Sequence, residues 1–209
     1  MLFEDKHLIV CVKPAGVLSE GGGMPELLCA QCGAPRVFCV HRLDKAVGGV
    51  MVYAKDGKTA AKLSELVSSR AVTKEYLAVA PGVPDPAEGV LRDYLYHDAA
   101  KNKTYVVTRP RRGVKEAELS YATAARTEDG LSLLRITLRT GRSHQIRAQL
   151  ASRKLPLLGD GRYGSAVRDC GIALQAHRLI FVHPVTGETL DFTAPLPDTW
   201  PWTLFPGVK

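Results

Sequence analysis

Apolar runs in this chain are short, and glycine or proline cuts most of them before they reach helical length. The 19 glycines and 13 prolines spread through 209 residues act as that punctuation. Alternating apolar and polar residues between such stops form strands, because successive side chains of an extended chain point to opposite faces. His7 to Lys13 is an expected strand, closed by Pro14-Ala15-Gly16. Further strands are expected at Val50 to Ala54, Thr73 to Ala80, Lys103 to Thr108, Glu116 to Ala125, Ser132 to Thr140, Ala173 to Val182 and Thr189 to Thr193. In Thr73 to Ala80, Tyr76 and Ala78 share one face while Leu77 and Val79 share the other.

Helices are fewer. Asp56 is placed to cap one whose apolar face comprises Ala60, Leu63, Leu66 and Val67, the spacing of one side of a 3.6-residue period. Ser143 stands where an N-cap would, ahead of HQIRAQLAS. The Pro-rich stretch from Pro81 to Pro86 is expected to be a connector. Strands that follow one another without a regular helix between them point to an α+β fold with a largely antiparallel sheet.

Composition excludes several classes. With 45% hydrophobic and 23% charged residues the chain is neither disordered nor fibrous. No stretch approaches a membrane-spanning run, and MLFEDKHLIV does not have the form of a signal peptide. Five cysteines, an odd number in a chain too large to need staples, argue against a disulfide framework and for reducing, cytoplasmic surroundings. A soluble monomer is expected.

The formal charge is +7, and it is unevenly placed. Residues 1–90 hold 10 basic and 10 acidic side chains, whereas residues 91–209 hold 18 and 11. Lys101, Lys103, Arg109, Arg111, Arg112 and Lys115 follow one another with no acid among them. A polyanion suits such a segment, because neutralised phosphates release condensed counterions. A solvated basic loop is the plainer alternative.

Two segments could carry chemistry. His41-Arg42-Leu43-Asp44 sets a carboxylate in a loop just before a Gly-led strand, and TGRSHQIR, Thr140 to Arg147, loads two arginines and a histidine onto a turn and helix start. An arginine facing Asp44 would hold it ionised and oriented. A competing constellation, Cys29, Cys32, Cys39 and His41, has the ligand types and opening spacing of a small zinc site. Its second half is not spaced like a finger, and no metal is expected.

Taken together and in order, these segments resemble the RluA-type pseudouridine synthases. HRLDKAVGGVMVYAK matches the family's signature, with VCVKPAGVLSEGG before it and TKEYLAVAPG, TGRSHQIRAQLASRKLPLLGDGRYG and ALQAHRLIFVHPVTGETLDFTAPLP after it. The resemblance runs from about Val10 to Pro197. It implies one catalytic domain over residues 1–209, its halves at about 1–90 and 91–209 sharing one mixed, largely antiparallel sheet flanked by a few helices. It also implies conversion of uridine in RNA to pseudouridine by breaking the N1 glycosidic bond and rejoining the ribose at C5, without cofactor or metal. The family's catalytic aspartate falls on Asp44, its tyrosine on Tyr76, the arginine that pairs with the aspartate on Arg147, and the apolar residue beneath the base on Leu174. Arg42, Arg142, His144 and Gln145 are the further candidate substrate contacts, and the basic run from Lys101 to Lys115 the candidate backbone contacts, with ribosomal or transfer RNA as partner. Two departures stand out: Val47-Gly48-Gly49 replaces the common Thr-Ser-Gly, and Gln175 replaces a frequent His. No S4-type RNA-binding domain is expected before Val10, which would leave substrate selection to the catalytic domain's own surface. A catalytically silent RNA-binding module is the alternative; it would have no need of Asp44, Tyr76 and Arg147 together.

Overall fold

The computed structural model describes residues 1–208, which hold eleven strands and three α-helices. Strands outnumber helices as the punctuation requires, and the class is α+β. The chain divides into two compact units, one of Met1–Lys74 with Gln175–Pro195, the other of Glu75–Leu174 with the segment from Leu196. This division is discontinuous and does not coincide with the charge boundary near residue 90, which falls inside a strand.

The first unit holds β1 (Phe3–Glu4), β2 (Leu8–Lys13), β3 (Phe38–Cys39), β4 (Gly48–Ala54), β10 (Leu174–Val182) from Gln175 onward and β11 (Thr189–Thr193), with β4 paired to β2, β3 and β10, β1 to β2 and β11 to β10, and with α1 (Met24–Cys32) and α2 (Gly57–Ser68) between them in sequence. β2 runs antiparallel to β4 from Leu8↔Ala54 to Lys13↔Gly49, while β10 meets β4 in parallel at Gln175↔Gly48 and Ala176↔Gly49. All seven residues of β4 are buried, as expected of a strand covered on both faces. The α2 cap is as expected: Asp56 accepts the Thr59 backbone N–H at 2.8 Å and its hydroxyl at 2.7 Å. The helix then lays Ala60, Leu63, Leu66 and Val67 on Leu8, Val10, Val50, Val52 and Phe181. Full burial of Leu63 alone contributes about 2–3 kcal/mol.

The second unit is an antiparallel sheet in the order β5 (Thr73–Pro81), β9 (Leu131–Leu138), β8 (Val114–Arg126), β6 (Glu88–Asp98) and β7 (Lys103–Val107). Leu77, Val79 and Leu133 form its core with Leu158, Trp202 and Phe205. β6 begins two residues after Pro86, just past the expected connector, in a stretch where the sequence leads to no expected strand. Its buried residues, Leu91 and Leu95, lie four apart, a spacing that suits a helix as well as a strand, and Arg92, Asp93 and Asp98 dilute the alternation. The third helix, α3 (Gln145–Ala151), is capped by His144 in the left-handed region and not by Ser143, whose carbonyl accepts the Thr104 hydroxyl at 2.8 Å.

Candidate active site

Asp44 sits half-buried in the loop ahead of β4, and the residues on either side of it are clamped. The Ser19 hydroxyl donates to Leu43 O at 2.9 Å and accepts from Leu43 N at 3.0 Å. On the other side, Lys45 O accepts from Gly16 N at 2.7 Å and from Lys13 Nζ at 3.3 Å. Lys13 is fully buried and also donates to Pro14 O and Val17 O, at 2.9 and 2.8 Å. Burial pushes its ammonium down to about 8, against the opposing pull of the Asp44 charge. The early KPAG turn is therefore the floor on which the aspartate loop rests.

The neighbouring His41 is structural. Its Nε2 accepts the Val52 backbone N–H at 3.2 Å, and desolvation of the ring, helped by the Lys74 charge, pushes its pKa down to about 3. Cys32 and Cys39 donate to Leu28 O and His41 O, at 2.8 and 3.0 Å. Among the described residues, no group of three or more His, Cys, Asp or Glu is arranged to hold a metal ion. Arg42 is exposed and paired with exposed Glu20 at 2.8 Å, a contact of little energetic weight.

The two departures from the family pattern touch each other. A side chain on Gly48 would start 3.0 Å from Oε1 of Gln175, and Gly49, at φ +129°, would drive one into Ala176 O. Glycine at 49 is what lets β4 and β10 come so close.

Within the second unit, Tyr76 lies on β5 opposite Ile136 and is buried, as is Leu174 at the start of β10. Arg147, on α3, is 4% exposed. Its Nε and Nη2 grip Asp160 Oδ2 and Oδ1 at 2.7 and 2.9 Å, a planar two-bond fork. The Tyr163 ring lies 5.0 Å from its guanidinium carbon. Neither Asp160 nor Tyr163 was singled out from the sequence, although both lie in the quoted LGDGRYG block.

The remaining candidates differ in how the protein uses them. Gln145 is buried and spends its amide internally, accepting from the Thr140 hydroxyl and Arg142 N and donating to Glu118 O. It shapes the 140–142 turn. Arg142 Nε donates to Glu116 O at 3.0 Å, and His144 Nδ1 meets the Tyr163 hydroxyl at 3.1 Å. Of the basic run, Lys101, Arg109, Arg111, Arg112 and Lys115 are exposed, and among the described residues Arg109, Arg111, Arg112 and Lys115 have no carboxylate partner. Arg111 lies over Tyr96, and Lys103 over both Tyr105 and Tyr163. No helix of the described residues is long and apolar enough to cross a membrane.

The family model for RNA pseudouridylate synthase matches residues 7–152. The chain is 34% identical over 223 aligned positions to ribosomal large subunit pseudouridine synthase D of Xanthomonas campestris, covering 95% of this chain and 66% of the relative. Its namesake in Neisseria meningitidis serogroup A is 33% identical, with 95% of this chain and 58% of the relative covered. The chain thus spans between 58% and 66% of the length of these relatives. Among solved structures, human RNA pseudouridylate synthase domain containing 4 superposes with a TM-score of 0.79 at 28% identity, covering 94% of this chain and 88% of that one. The HRLD loop, the β5 tyrosine and the α3 arginine all lie within the matched span, and the chain belongs to the RluA-type RNA pseudouridylate synthase family.

Proposed function

We propose that the chain isomerises specific uridines of ribosomal or transfer RNA to pseudouridine, with Asp44, Tyr76 and Arg147 as the reacting constellation. The observation that carries this reading is the braced Asp44 loop, clamped at Leu43 and Lys45 within the segment matched by the family model. A carboxylate held in one orientation can attack the sugar or take a ribose proton, and either step frees the uracil to rejoin through C5. Arg147 presents its Nε/Nη2 edge to Asp160, and its role is the one the family resemblance implies, to keep the catalytic aspartate ionised. Tyr76 stacks on the base and helps remove the C5 proton, which is replaced at N1 by one from solvent or the protein. Leu174 supports the base from beneath. The target leaves its stack to reach this site, and the exposed arginines of the β7–β8 connection hold flanking phosphates.

The test uses RNA tritiated at uridine C5, prepared from cells that lack this chain, because pseudouridine formation must release that label. The parent chain is expected to release tritium, and Asp44→Ala to release none while still binding RNA. Binding without release by the parent would replace this reading with the silent RNA-binding module. Pseudouridine maps of total RNA with and without the chain then identify the position modified.

A further inference from the structure

We propose that Asp160 and Tyr163 are positioning residues that fix the plane of the Arg147 guanidinium, an assignment that rests on the reading of Arg147 given above. An arginine only 4% exposed needs a paired charge, and Asp160, 1% exposed, supplies it through the two-bond fork. The fork removes rotation about the guanidinium axis, and the Tyr163 ring, 5.0 Å from the guanidinium carbon, adds an aromatic contact.

Both residues are themselves held. Asp160 N donates to Leu157 O at 3.0 Å, and Asp160 O accepts from Tyr163 N and Ser165 N, each at 3.0 Å. The preceding Leu158 donates to Val79 O at 2.9 Å, so the loop is built on β5, the strand that bears Tyr76. Gly159 permits this course: at φ +75° a side chain there would meet Gly171 O at 2.1 Å. Arg147 is in this way indexed to the strand of the active-site tyrosine.

The same short turn, Gly161–Tyr163, also grips the hairpin of β6 and β7. Arg162 Nη1 donates to Lys101 O and Asn102 O, at 2.9 and 3.0 Å, and the Tyr163 hydroxyl accepts the Thr104 backbone N–H at 2.7 Å. Lys103 Nζ lies 5.3 Å from the Tyr163 ring that faces Arg147. The basic hairpin and the arginine therefore share one support, and an RNA phosphate drawing on Lys103 acts on the residue that orients Arg147.

The experiment is a cycle of variants assayed by single-turnover tritium release from C5-labelled RNA, with RNA affinity and thermal melting measured alongside. Asp160→Asn is expected to slow release by roughly 10- to 100-fold while RNA affinity changes by less than about threefold. In an Arg147→Lys background, which already lacks the fork, Asp160→Asn is expected to cost less than about threefold more. A rate within about threefold of the parent for Asp160→Asn, or fully additive losses in the cycle, would overturn the assignment. Should Asp160→Asn melt before assay, Tyr163→Leu in the same cycle decides the matter by the same criteria. If Asp44→Asn releases label at the parental rate, the functional reading itself fails; an active parent with an undiminished Asp160→Asn sinks only the positioning role.

Discussion

Gln175 and Gly48 face each other across the parallel β4–β10 contact, and the Gln175 side-chain oxygen stands 3.0 Å from where a side chain on Gly48 would begin. Where family members commonly carry a hydroxyl and a histidine, this chain has a glycine and an amide that fills the space above it. Gly48→Ser is therefore expected to destabilise the fold by about 1–2 kcal/mol, since Lys13 O also stands close, at 3.2 Å. In a Gln175→Ala background the added cost should shrink. Urea melts of the two single variants and the double variant check this, and strict additivity would show that the two positions are independent.

Arg111 and Arg112 project from the connection between β7 and β8 with no carboxylate partner among the described residues. Replacing both by Ala should weaken RNA binding and flatten its salt dependence, by about 1.4 in the slope of log K against log salt for single-stranded RNA if each neutralises one phosphate. A titration series in potassium chloride measures the slope. An unchanged slope would remove this loop from the RNA-facing surface.

Lys13 holds three carbonyls, those of Pro14, Val17 and Lys45, beneath the Asp44 loop. Lys13→Met keeps much of the volume but leaves these buried acceptors without their donor, at a cost of about 1–3 kcal/mol. Stability should fall, and turnover should fall with it as Lys45 loses one of its two ties. Full stability and full tritium release in this variant would refute the bracing role.

His41 titrates near 3 in the folded protein, against an ordinary value of 6.5. Between those values the unfolded chain binds a proton that the folded chain refuses, so the number bound is larger in the unfolded state and unfolding becomes easier as pH falls. The loss should begin below about 6.5 and continue to about 3. His41→Asn, whose side-chain oxygen can still accept the Val52 N–H, should show a shallower acid limb in melts from pH 7 to pH 3. An identical limb would mean that other groups carry the acid sensitivity.

Much of this could be read from the sequence. Period-2 alternation and Gly/Pro stops located most strands, and Asp56 with residues 60, 63, 66 and 67 located α2, because local periodicity reports which side of a segment must be buried. The blocks around Asp44, Tyr76 and Arg147 led to the family. β6 escaped because a four-residue apolar spacing is shared by strand and helix, and the α3 cap moved to His144 because Ser143 is engaged by Thr104 of a distant strand.

The sequence by itself determined the class of elements, the placement of excess positive charge after residue 90 and the family, all of which rest on residues near one another in the chain. Tertiary structure alone decided that residues 175–195 join the N-terminal unit, that Gln175 covers Gly48, and that Arg147 is forked by Asp160. Those outcomes depend on strand register and loop closure between separated segments, and no local periodicity encodes which of several carboxylates a buried arginine will meet.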